Sequence, residues 1–288
     1  MDDRSRLMRT RRPPEWLKSL RHDWAIHLFL GIGLLFSAIP IFFMLNISVK
    51  SQGQFITNPL GVTAPLQWDN WLIAFNVLKR SLLNTTLIAL VVTVLSLTIA
   101  SLGAYVFARF RFPGRELLFW LVLGILFIPG ILTFATRVVL VSNLGLYNTY
   151  WVMIIPVVAG TQIFEMFVLR AFFTGLPEEV LEAARVDGAG VLAVFTRIVL
   201  PMSRPILATL AVLRVIDVWN EWLWPLVTVS DARLRPLALQ VFWLQSDMGA
   251  HVGRQMAGYA LATIPLLILF FLFSKQFVEG LTSGAIKW

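Results

Sequence analysis

The chain has 288 residues, 58% of them hydrophobic and only 14% charged, with a mean hydropathy of +0.76 and a formal net charge of +8. A soluble domain carries about 25% charged residues, and one of this size could not enclose so much apolar surface in a single core, so lipid is the solvent that fits. The lack of cysteine excludes disulfides, thiolate catalysis and cysteine metal sites, and the positive charge lies in short segments between apolar runs, which points to membrane topology rather than nucleic acid.

A bilayer core about 30 Å thick needs roughly 20 apolar residues as a helix. Six stretches qualify: 24–47, 82–107, 117–136, 150–169, 206–227 and 257–273. Ahead of them, 14–24 sets Trp16, Leu17, Leu20 and Trp24 at helical spacing around Lys18 and Arg21. That pattern reads as an interfacial helix on the inner leaflet, or else as a basic tail. The first apolar run has no small-residue cleavage site and reads as a retained anchor. The polar segment 51–71 is expected to pack against neighbouring loops. Pro40, Pro129, Gly130, Pro156, Pro225 and Pro265 interrupt the spans. Breakers of this kind are tolerated where neighbouring helices re-satisfy the backbone, and they predict a bundle that bends. The chain divides into a basic segment 1–23, a membrane domain 24–278 and a tail 279–288.

Orientation follows from Lys and Arg. With the N-terminus inside, the segments 1–23, 108–116, 170–205 and 274–288 hold sixteen of the 24 basic residues, and the external segments hold seven. The last, Arg214, falls within a span. Both termini are therefore predicted to be cytoplasmic.

The inside loop 173–205 contains LPEEVLEAARVDGAG over residues 176–190 and continues to Pro201. Pro177 suits a first helical turn, and Glu178 and Glu179 suit a helix N-terminus. Gly188 and Gly190 can end that helix. A second amphipathic stretch, 191–200, is expected to end at Pro201. A helix-turn-helix this structured, in a loop facing the cytosol, is expected to dock on a partner.

The pattern Glu182-Ala183-Ala184, three residues, Gly188, nine residues, Ile198-x-Leu200-Pro201 resembles the coupling-loop signature of ABC importer permeases. The stretches 81–85, 104–114, 143–149, 218–225 and 280–287 are similar to the maltose-type second permease subunit of the carbohydrate branch. This resemblance covers nearly the whole chain after residue 24. It implies an all-α integral membrane protein of six transmembrane helices with the type I ABC importer permease fold, multi-pass in the inner membrane. It implies as partners a second, different permease subunit, two ATPase subunits, an extracytoplasmic solute-binding protein and the lipid bilayer, and no nucleic acid. The cargo would be a sugar or sugar-like solute moved by alternating access. The chain would be no enzyme and bind no cofactor, ATP and Mg being held by the ATPase. Glu182 would accept a basic side chain of that ATPase, Ala183 and Ala184 would permit close packing, and Gly188 would give the turn. Ile198, Leu200 and Pro201 would anchor the loop, and Asp187 belongs to the same candidate set. The sequence departs from the family's pattern in ending on Trp288, where Gly is usual.

Other motifs carry less. Residues 188–193 fit a loose dinucleotide pattern but lack the preceding strand and the ribose-binding acid, and no phosphate-binding Gly-x-x-x-x-Gly-Lys occurs. His22, His27 and His251 are too far apart in sequence to suggest a metal site, so none is expected. Within the spans, ionisable groups mark functional candidates because they are costly to bury. Arg214, Asp217 and Glu221 are expected on one helix face with Asn220 and Trp224. Span four offers Thr161, Gln162 and Glu165. Gln162, Glu165, Asp217, Trp219, Asn220, Glu221 and Trp224 are the candidate substrate path. The competing reading is a salt-bridge network of Arg214 with Asp217 or Glu165, with the tryptophans as an interfacial belt. A secondary carrier driven by an ion gradient could use the same carboxylates, but it gives the loop no role.

Overall fold

The computed structural model describes residues 24–248 and 251–283, and these form helices with no strand among them. All of the expected interfacial helix over 14–24 except Trp24, and the end of the tail, 284–288, lie outside the described residues. In chain order the helices are α1 (Trp24–Ser48), α2 (Gln52–Thr57), α3 (Asp69–Arg109), α4 (Arg115–Gly124), α5 (Phe134–Asn143) and α6 (Tyr150–Thr174). There follow α7 (Glu178–Val186), α8 (Val191–Met202), α9 (Arg204–Asn220), α10 (Leu223–Thr228), α11 (Leu237–Met248) and α12 (Val252–Ser283).

Helices α1, α3, α6 and α12 are each long and apolar enough to cross a bilayer, and α8 with α9 forms a fifth candidate bent by 75°. The predicted third span is not one helix but two, α4 and α5. Pro129 accounts for the break, because it biases the residue before it away from helical geometry, and Ile128 is extended at φ −81°, ψ 113°. The predicted fifth span is also interrupted, since α9 stops at Asn220 and α10 starts at Leu223. Pro225 lacks the N–H that would bond the Glu221 carbonyl in a continuous helix, and its ring would collide with that carbonyl. Glu221 accordingly turns extended, with ψ 110°. Pro40, Pro156 and Pro265 are absorbed inside their helices.

Helix α3 is the axis of the bundle, about 60 Å long at 1.5 Å per residue, and packs against α6, α9, α11 and α12. Its buried face includes Ala74, Ser81, Ala89, Ser96, Ala100 and Ala104. Small residues let membrane helices approach closely. At Gly103 an added Cβ would lie 2.9 Å from the Met166 sulfur. Three apolar clusters follow α3 along its length. One joins its Arg109 end to α4, α6, α7 and α8, a second joins its middle to α5, α6 and Trp224, and a third joins its Asp69 end to α11 and α12. On α1, by contrast, Phe29 and Phe36 are 76% and 78% exposed, which suits a lipid-facing helix.

At the Asp69 end the segment 51–71, expected against neighbouring loops, packs instead on a helix, α2 against α12. The buried Lys50 ammonium donates to the carbonyls of Asn58, Pro59 and Gly61. Asn70 Nδ2 donates to the Ser48 and Lys50 carbonyls at 3.0 and 2.9 Å. Gly253 of α12 lies so close that a Cβ there would come within 2.3 Å of the Lys50 carbonyl oxygen. The segment 228–237 is clasped nearby. Asn148, in the left-handed region at φ 57°, accepts from the Ser230 and Asp231 amides, and Asn84 Nδ2 donates to the Arg233 and Arg235 carbonyls. Hydrogen bonds from Arg233 hold the Asp231 carboxyl below the usual carboxylate range.

Candidate functional site

Two regions hold the sequence-predicted residues, one at the Arg109 end of the bundle and one beside the middle of α3. At the Arg109 end α6 runs into the loop, and Pro177 stands just before α7 rather than inside it. The acidic Glu178 and Glu179 fill the first turn of α7, and Arg185 the last, each favourable against the helix dipole. Asp187 caps α7, and Gly188 at φ +84° turns the chain so that the Ala189 amide reaches the Ala184 carbonyl at 2.9 Å. That geometry is available to glycine without strain.

The two faces of α7 differ. Leu181 is fully buried in the cluster with Tyr105, Leu169, Phe173, Phe195 and Val199, and Ala184, Ala189, Ile198 and Leu200 pack against it. Glu182, Ala183 and Asp187 face outward, Val186 is 87% exposed, and Glu182 takes part in no ion pair among the described residues. The expected stop at Pro201 falls later. Residues 195–199 form a π-helical turn, with the Leu200 amide bonded to the Phe195 carbonyl, and the chain bends only at Ser203. Pro201 has no N–H for a regular i−4 bond, and single π turns are a known accommodation.

Arg109, at the end of α3, secures this loop. Its guanidinium pairs with Glu178 and donates to the Phe173 and Leu176 carbonyls, and the side chain is 7% exposed. Sequence reading missed it, although it sits in the 104–114 stretch. Arg170 of α6 donates to both oxygens of Glu116 at 2.7 and 2.8 Å, holding that carboxyl below its ordinary range, and stacks over Phe119 at 3.8 Å.

At the other region, Arg214 of α9 is the centre. Its Nε donates to Glu165 of α6 at 2.8 Å and its Nη1 to Asp217 at 3.1 Å. Ser96 of α3 donates to the same Glu165 oxygen at 3.3 Å. The two side chains are 8% and 1% exposed, so the Arg214–Glu165 pair is buried, and it joins the helix entering the loop to the helix leaving it. Both pairings that the sequence suggested for Arg214 are present.

Arg214, Asp217, Asn220, Glu221 and Trp224 line a cavity of about 440 Å³ together with Thr161 and Arg137. They share it although the helix breaks between Asn220 and Leu223. The structure does not bring the other candidates to it. Glu165 sits behind Arg214, half-buried Gln162 lies off the lining, and Trp219 borders a separate cavity with its indole N–H donated to the Ala262 carbonyl at 3.2 Å. Trp224 is 5% exposed, with its N–H donated to the Val152 carbonyl. Arg137 was counted with an external loop in the sequence. It lies 5.3 Å over the Trp224 ring, and the signal that could have flagged it is an arginine three residues after Phe134. Among the described residues no cluster of acidic and histidine side chains could hold a metal.

A family model described as binding-protein-dependent transport system inner membrane component matches residues 96–283. The sn-glycerol-3-phosphate transport system permease protein UgpE of Yersinia pestis bv. Antiqua is 33% identical over 273 residues, 91% of this chain and 96% of that one. The arabinooligosaccharides transport system permease protein AraQ of Halalkalibacterium halodurans is 33% identical over 90% of this chain and 95% of its own. The trehalose/maltose transport system permease protein MalG of Thermococcus litoralis is 32% identical over 93% and 99%. In fold, the chain matches one from a bacterial ABC transporter involved in the import of the acidic polysaccharide alginate, with a TM-score of 0.76 over 89% of this chain and 97% of that one at 21% identity. This protein is a member of the binding-protein-dependent transport system inner membrane component family.

Proposed function

We propose that this chain is the permease subunit of an ATP-driven importer that carries a sugar or sugar-like solute across the inner membrane by alternating access. The observation that carries the reading is the loop 182–201. One face of α7 is buried on the membrane domain through Leu181, and the other presents Glu182, Ala183 and Val186 outward. An ATPase subunit is the partner that this face fits, since the Glu182-Ala183-Ala184 signature is the coupling-loop pattern. Because α6 enters the loop and α9 leaves it, displacement of α7 acts on both helices, and these carry Glu165 and Arg214. A second permease subunit, two ATPase subunits with ATP and Mg, and an external solute-binding protein complete the assembly. The relatives' names support the cargo class. The charge bias supports a topology with both termini inside, and six crossings result if α4 and α5 together make one and α8 to α10 another.

Purification of the tagged chain from its native membrane tests this. An ATPase subunit is expected to accompany it, and Glu182→Lys is expected to release or uncouple that subunit. A chain purifying without an ATPase, with uptake abolished by collapsing the proton gradient alone, would support the ion-driven carrier instead.

A further inference from the structure

Beside the 440 Å³ cavity lies a second of about 350 Å³, and the two share Arg137, Asn220, Glu221 and Trp224. Both fall in the range of small-molecule sites, about 300–1,000 Å³. The second adds Trp222 from the break between α9 and α10. Of the three tryptophans in that stretch, Trp219 and Trp224 are 7% and 5% exposed with their N–H groups committed, whereas Trp222 is 42% exposed. One face of Trp222 stacks on Phe242 at 5.4 Å and 12°, and its N–H makes no hydrogen bond among the described residues. Stacking fixes the ring's orientation and leaves the rest of the indole open to the cleft.

The polar groups around it are half committed in the same way. Glu221 uses one oxygen to accept from the Trp224 amide at 2.9 Å, and Asn220 uses Nδ2 to donate to the Ile216 carbonyl at 2.8 Å, which leaves its carbonyl oxygen. Arg137 donates Nη2 to the Gly130 carbonyl at 3.1 Å, has its Nε buried without a partner, and makes no ion pair among the described residues. Held over the Phe134 and Trp224 rings, the half-buried guanidinium keeps spare donors for a group bound in the cleft.

We infer that Arg137, Asn220, Glu221 and Trp222 form a binding subsite in this subunit for an uncharged polyhydroxylated ring, with a C–H face of the ring on Trp222 and its hydroxyls bridging Arg137 and Glu221. Donors, acceptors and an aromatic surface converge, and the two formal charges cancel. A phosphate or carboxylate would gain Arg137 but meet Glu221, while in the adjoining cavity Arg214 and Asp217 are paired with each other. This deepens the sugar-importer reading and rests on it.

The test is saturation-transfer NMR on the complete transporter in nanodiscs, with methyl α-D-glucopyranoside and sn-glycerol 3-phosphate as probes at millimolar concentration. The glucoside is expected to bind, Trp222→Ala to weaken it about tenfold, and Trp222→Phe to restore most of that loss. Glu221→Gln is expected to shift preference toward glycerol 3-phosphate. No glucoside signal, equal binding by Trp222→Ala, or a wild-type preference for the phosphate would overturn the subsite. Retention of the ATPase subunit in the same preparations reports separately on the importer reading, so the two can fail independently.

Discussion

Removing one partner of the Glu165–Arg214 pair should cost far more than removing both. In Arg214→Leu, the Glu165 carboxylate stays 1% exposed with Ser96 as its remaining donor. Breaking a buried pair from one side costs about 3–5 kcal/mol, because the surviving charge is left uncompensated. Chains unfolded within a membrane also find polar partners, so the low end, about 3 kcal/mol, is expected. Glu165→Leu leaves Arg214 with Asp217 alone, whose side chain is 67% exposed, and such an exposed partner returns at most about 1 kcal/mol. The double Leu variant removes both charges and should return to within about 1 kcal/mol of wild type, a coupling of about 2 kcal/mol or more. Unfolding of the four proteins by SDS in mixed micelles, followed by tryptophan fluorescence, gives the cycle directly. Additive losses would show that Glu165 and Arg214 do not act as a unit, and that the buried link between α6 and α9 is incidental.

Three further outcomes follow from the geometry. Gly253→Ala puts a Cβ where the Lys50 carbonyl oxygen already lies, 2.3 Å away. The backbones must separate, so a loss of about 1–3 kcal/mol is expected in the same SDS titration. Arg109→Ala frees the Phe173 and Leu176 carbonyls and Glu178 together; faster amide exchange across 175–188 and reduced ATPase retention are expected, with Arg109→Lys intermediate. Asp231 has its carboxyl held below the usual range by Arg233. A depressed carboxylate stabilises above its unfolded value, about 3.9, and the contribution fades as pH falls through the folded one. Protection at 230–235, taken after dividing out the intrinsic exchange rate at each pH, should therefore fall on acidification below about pH 4 and, from this pair, show no change between neutral and mildly alkaline pH.

Much of the bundle could be read from apolar run length alone, since lipid demands it of α1, α3, α6 and α12. The α7 turn was equally legible, because acids at its start and Gly188 after its end follow from helix termini. The breaks were harder. Pro129 and Pro225 end helices while Pro40, Pro156 and Pro265 do not, and all five look alike in sequence. Local backbone rules allow either outcome at each of them, and composition does not choose between the two. The polar path shows the same limit. Trp219, Trp222 and Trp224 are indistinguishable as letters, and only the helix break at Glu221 sets Trp222 apart as the open one. Arg109 and Arg137 act through carbonyls and rings distant in sequence, which no local spacing reveals.

The account stands on α7 docking against an ATPase, and the absence of native cysteine makes a direct measurement practical. Single cysteines at Ala183, Val186 and Leu181, each carrying a short photo-crosslinker, would be irradiated in native membranes. Adducts with the ATPase subunit are expected from 183 and 186, which face outward, and none from 181, which is buried. No ATPase adduct from either exposed position, in membranes that still take up solute, would contradict the coupling role of this loop.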